Sequence, residues 1–211
     1  MITRIVNATI VNENSTICGD ILIKNGRIEQ INSQVKGQEN ETIYDAKGNL
    51  LLPGMIDMHV HFREPGIENK GTIKTESRAA VSGGITSIME MPNTKPAAIT
   101  NKILEDKYKI ASESCLTNYS FYLGASNSNL DELKSVDPKK VCGIKLFLGS
   151  STGNLVVDNK NQIAEIFEQI KIPIALHCEV DEIIKENEIK AKEKYGENIP
   201  FLEHGNIRSR Q

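Results

Sequence analysis

The chain has 211 residues, of which 39% are hydrophobic, 25% charged and 5% aromatic, with no Trp. Such proportions exclude a disordered tail, a collagen-like fibre and a disulfide-dense mini-protein. Lys and Arg number 25 against 28 Asp and Glu, a net charge of −3, so neither nucleic acid nor an anionic membrane is expected as a partner.

Residues 1–52 read as short strands with turns, a small β module. Ile21-Leu22-Ile23 leads into Lys24-Asn25-Gly26-Arg27 and then Ile28 and Ile31. An Asn-Gly pair between apolar runs predicts a hairpin. Pro53-Gly54 marks the exit, and residues 53–211 change to a repeated strand, turn and helix. Met55 to Val60 predicts a strand, and a helix around Thr75 to Ser82 ends at Gly83-Gly84. Ile85 to Met91 is the next strand, followed by a helix near Asn101 to Ser112 with Leu104, Tyr108 and Ala111 on one face. Tyr119 to Leu123 and Val141 to Leu148 are strands around a short helix near Leu130 and Leu133. Ile163, Ile166, Phe167 and Ile170 have the spacing of an amphipathic helix. Ile174 to Cys178 is a fifth strand, and Asp181 to Lys194 a charged helix.

Alternation of this kind means parallel strands with crossover helices. Periodicity alone leaves an open doubly wound sheet and part of a closed barrel as alternatives. The length falls short of the roughly 250 residues of a complete (β/α)8 barrel. The four cysteines, Cys18, Cys115, Cys142 and Cys178, form no CxxC pair and read as buried free thiols of a reducing cytosol. There is no secretion signal and no run of the roughly 18 apolar residues that a membrane span needs, so a soluble cytoplasmic protein is expected.

The chemistry gathers at strand ends. His59 and His61 lie two apart in Asp57-Met58-His59-Val60-His61, so both side chains leave the strand on one side and can reach one metal ion. Asp57 shares that face and reads as a loop cap or as a group that orients a metal ligand. His177 ends the fifth strand, while His204 lies in a polar segment and reads as a surface residue or a minor loop contact. Lys145 sits within Gly143-Ile144-Lys145-Leu146-Phe147-Leu148, where an ammonium is costly to bury. It reads as a snorkelling or paired lysine or, beside the strand-end histidines, as a carbamate made by capturing carbon dioxide. Arg63 and Asn93, in the loops after the first two of these strands, could hold a carboxylate-bearing substrate. The Gly149-Ser150-Ser151-Thr152-Gly153-Asn154 loop receives no catalytic role.

Pro53-Gly54-Met55-Ile56-Asp57-Met58-His59-Val60-His61-Phe62-Arg63-Glu64-Pro65-Gly66 closely resembles the signature of dihydroorotases, within the amidohydrolase superfamily. Met91-Pro92-Asn93-Thr94, the Lys145 strand and the His177 strand match in order and spacing. Dihydropyrimidinase, hydantoinase and allantoinase share the HxH, and the Arg63 and Asn93 motifs favour dihydroorotase over them. The resemblance implies an α/β fold, the N-terminal part of a (β/α)8 TIM-like barrel with about five strands present, preceded by the small β module. It implies two zinc ions, with His59 and His61 on the first, carboxylated Lys145 bridging both and His177 on the second. Arg63 and Asn93 would hold the substrate carboxylate in the reversible closure of N-carbamoyl-L-aspartate to dihydroorotate, a step of pyrimidine synthesis. A further His and the catalytic Asp are expected beyond Gln211, so the 211-residue chain is expected to be inactive alone. The expected partner is a small-molecule substrate, with a second copy of the chain as the protein partner considered. The alternatives are a non-catalytic dihydroorotase-like scaffold and another cyclic amidohydrolase. A nucleotide-binding domain is excluded because no GxGxxG or P-loop follows the first strand.

Overall fold

A computed structural model describes residues 1–149, 151 and 153–209. Ser150 and Thr152 of the Gly149–Asn154 loop lie outside the described residues, as does Gln211. The chain divides into two compact units, Met1–Met55 and Ile56–Gln211.

The first unit is a five-stranded sheet of β1 (Ile2–Asn12), β2 (Ser15–Lys24), β3 (Arg27–Asn32), β4 (Thr42–Asp45) and β5 (Leu50–Leu51), in the order β3-β2-β1-β4 with β5 also on β1. Asn25 and Gly26 turn the β2–β3 hairpin at φ 52° and 76°, the conformation that the Asn-Gly pair predicts. β1 and β2 are longer than the short strands expected. β1 carries a register shift between Ile5 and Ala8, where Asn7 adopts φ 55°, and this lets one strand run on across a break in its alternation. Ala8, Ile10 and Ile21 form the core, and Arg4 clamps Glu41 (Nη2–Oε1 2.6 Å) and the Val35 carbonyl (2.9 Å).

The second unit alternates strand and helix: β6 (Met55–Val60), α1 (Ile73–Ser82), β7 (Ile85–Glu90), α2 (Asn101–Ser114), β8 (Asn118–Gly124), α3 (Leu130–Ser135), β9 (Gly143–Phe147), α4 (Lys160–Gln169), β10 (Ile174–His177), α5 (Asp181–Tyr195) and α6 (His204–Arg208). The strands lie in sequential order, β7 to β10 pair in parallel, and the sheet curls into a half-barrel. Of the two architectures that periodicity leaves open, this is the barrel.

Local chemistry sets the element ends. α1 begins at Ile73, before the expected Thr75, because Thr72 and Thr75 form a reciprocal cap. α2 runs to Ser114 rather than Ser112 and stops at Cys115, whose backbone is extended. Its core face holds Leu104 and Ala111 as expected, and also a fully buried Lys107. In α4, Ile166 is fully buried but Phe167 is 48% exposed, so the apolar stripe is narrower than the spacing suggests. β9 is buried along its whole length, Lys145 included, between β8 and β10. The four cysteines are free thiols, but Cys18 and Cys178 are exposed and the other two half-buried. The expected burial fails at Cys18 because β2 is solvent-facing over its first four residues. Among the described residues no helix is long and apolar enough to cross a membrane.

Candidate active site at the strand ends

Strand alternation carries His59, on β6, and His61, just past its end, to one side, where their ring centroids stand 5.2 Å apart at 56°. Asn93 follows β7, and its Oδ1 lies 2.7 Å from His61 Nδ1. A carboxamide oxygen only accepts, so Nδ1 carries the proton and Nε2 keeps its lone pair for a ligand. Fixing this tautomer is a part for Asn93 that sequence reasoning did not find. Asp57 Oδ1 accepts the His59 amide (3.0 Å), a local backbone contact of the capping kind. Burial pushes both imidazoles below their ordinary pKa. The charges of Lys145 and His177 push His59 further the same way, and Asn93 partly opposes the shift at His61. Both rings therefore favour the neutral form that a metal needs.

Lys145 pairs in register with Ala175 of β10 and Gly124 of β8 and is 2% exposed. No carboxylate pairs with it among the described residues, so the paired-lysine reading is set aside. Its Nζ lies 4.7 Å over the Phe147 ring, and burial pushes the amine below the ordinary lysine range. Only the neutral form of an amine reacts with carbon dioxide, and burial shifts Lys145 toward that form. His177 stands opposite Phe147 in the β9–β10 register, with ring centroids 5.9 Å apart. Its Nε2 lies 2.9 Å from Glu179, whose other oxygen is taken by Arg208 of α6 (Nε–Oε1 2.7 Å). Glu179 and Arg208 were not foreseen; the HxE spacing after β10 was the available signal. His204 is exposed and stacks on Phe201 (6.3 Å), as its surface reading expects.

The loop after β6 explains its own sequence. Phe62 enters the core. Glu64 Oε2 accepts the Ile73 amide (2.7 Å), capping α1 from a distance. The Pro65 carbonyl accepts the Lys95 amide (2.9 Å), stitching this loop to the one after β7. Gly66 takes φ 87° against the Lys95 carbonyl, where a side chain has no room. Arg63 adopts φ 72°; its charge reaches His61, and no ion pair among the described residues engages its guanidinium. Among the described residues no three His, Cys, Asp or Glu side chains are arranged to hold a metal ion, so the structure brings His59 and His61 together but does not join His177 to them in one such group.

A family profile described as "Dihydro-orotase-like" matches residues 48–195. The chain is 33% identical over 177 residues to a dihydroorotase of Methanosphaera stadtmanae, covering 83% of this chain and 40% of that protein. It is 34% identical over 203 residues to a dihydroorotase of Bacillus cytotoxicus, covering 93% and 47%. Among solved structures, the L-hydantoinase (dihydropyrimidinase) of Arthrobacter aurescens superposes with a TM-score of 0.89 at 26% identity, covering 98% of this chain and 47% of that one. The chain thus spans less than half the length of these proteins.

Proposed function

The chain belongs to the dihydro-orotase-like family, and we propose that it supplies the N-terminal half of a metal-dependent dihydroorotase, which closes N-carbamoyl-L-aspartate to dihydroorotate and reopens it. The observation that carries this reading is the side-by-side pair of His59 and His61, with His61 hydrogen-bonded to Asn93, in a half-barrel that also buries Lys145 without a carboxylate partner among the described residues. The donor chemistry fits a divalent metal pair. His59 and His61 would hold one ion, His177 the other, and Lys145, as its carbamate, would bridge them. Such a pair, when bound, polarises an amide carbonyl and makes water acidic enough to attack near neutral pH.

The chain's own groups do the rest. Asn93 orients His61. The guanidinium fork of Arg63, engaged by no ion pair among the described residues, matches a carboxylate in bidentate geometry, so it would grip the ring carboxylate and turn the amide toward the strand ends. Neutral substrates of the hydantoinase type lack that carboxylate, and this favours the dihydroorotase reading. The proton-shuttling Asp that the resemblance implies is not among the described strand-end groups.

The experiment takes the full-length protein containing this chain and measures its zinc content and its ring opening of dihydroorotate. Turnover should vanish with a chelator and return with zinc. Zinc-free protein with no turnover would favour the scaffold reading, and preference for dihydrouracil would move the substrate to the neutral rings.

A further inference from the structure

Glu90 ends β7 and Lys107 lies on the core face of α2. Their side chains are 1% and 0% exposed and in direct ionic contact. Lys107 Nζ also donates to the Met91 carbonyl (3.2 Å) and lies 4.8 Å over the Phe121 ring. Beyond this ionic contact, neither carboxylate oxygen of Glu90 has a hydrogen-bond partner among the described residues. An apolar pair of similar volume is often as stable as a buried ion pair, or more so, so stability alone is a poor reason for this one. Its contacts suggest another. Met91 leads through Pro92 to Asn93, so Lys107 fixes the carbonyl from which the second loop departs.

We propose that the Glu90–Lys107 pair is a positioning device for the substrate clamp, setting Asn93 through the Met91 carbonyl. This rests on the reading above, in which Arg63 and Asn93 hold the substrate carboxylate. Neither Glu90 nor Lys107 touches the reacting atoms.

The test uses the full-length protein with the double substitution Glu90→Leu/Lys107→Met, which removes both charges and keeps the volume. The KM for dihydroorotate should rise about tenfold, kcat should stay within about threefold, and zinc content should be unchanged, a split that marks lost substrate binding rather than lost chemistry. Amide exchange at Thr94 and Lys95, in the loop that leaves Met91, should quicken about tenfold or more as that loop loses its anchor. Unchanged KM with unchanged exchange overturns the proposal, as does a parallel loss of kcat, zinc and thermal stability, which marks a purely structural pair. If the double variant does not fold, Glu90→Gln gives the same readouts without a change of shape. Failure of the wild type to turn over dihydroorotate refutes the function instead, and amide exchange still decides the positioning.

Discussion

Replacing Gly66 by Ala puts the stitched loops under a defined load. Gly66 sits at φ 87°, a conformation that costs an L residue about 1–2 kcal/mol. Its new Cβ would also collide with the Lys95 backbone carbonyl. Relief of that collision requires the loops to part and the Pro65–Lys95 hydrogen bond (2.9 Å) to break, at about 1 kcal/mol more. The sum, about 2–3 kcal/mol, corresponds to a fall in Tm of about 5–10 °C for the second unit. Two further glycines calibrate it. Gly26→Ala, at φ 76° with nothing within 4 Å, should cost only the conformational part, about 1 kcal/mol. Gly83→Ala, at φ −90° with its nearest neighbour at 3.5 Å, should be close to neutral. Calorimetry of the three variants separates the contributions. A Gly66→Ala cost no larger than that of Gly26→Ala would refute the steric reasoning.

Other outcomes follow from the site and from the first unit. His177→Ala in the full-length protein should remove most bound zinc and activity, read by elemental analysis beside turnover. Lys145→Ala should do the same, with activity partly restored by short carboxylic acids that replace the carbamate; unchanged zinc stoichiometry in these variants would overturn the ligand assignment. Arg63→Met should raise the KM for dihydroorotate by about tenfold or more, the scale of a lost charge-assisted hydrogen bond, while leaving zinc in place; an unmoved KM would put the carboxylate clamp elsewhere. Hydrogen bonds from Arg4 hold the Glu41 carboxyl below its ordinary value of 4.5. Its stabilising contribution is therefore complete above that value and lost as pH falls through the depressed one. Glu41→Gln should lower the melting temperature of the first unit at neutral pH, with the gap to wild type closing in acid; a gap independent of pH would contradict this.

Sequence periodicity identified every strand of the second unit and every α-helix but α6 to within a few residues, because each apolar stripe is written locally along the chain; α6, five residues with no buried side chain, carries no such stripe. It could not choose between open sheet and barrel, since both bury the same faces. The strand-end residues His59, His61, Lys145 and His177 were legible for a related reason: each sits at the tip of its own strand or within it, so alternation fixes its side. The partners were not legible. Lys107 looks like one more surface lysine until α2 folds it onto Glu90, and Glu179 meets Arg208 only across 29 residues. Asn93 was read as a substrate contact, and its hydrogen bond to His61 depends on the stitching of two loops that no local pattern records.

The five strands of the half-barrel stand side by side in the order in which the ribosome makes them. Each new βα unit needs only the one before it as a template, so contacts stay short in sequence and loop closure remains inexpensive. His59 and His61 are delivered first, then Asn93, Lys145 and His177 in turn. Assembly of the proposed donor set can thus keep pace with translation, one nascent strand at a time.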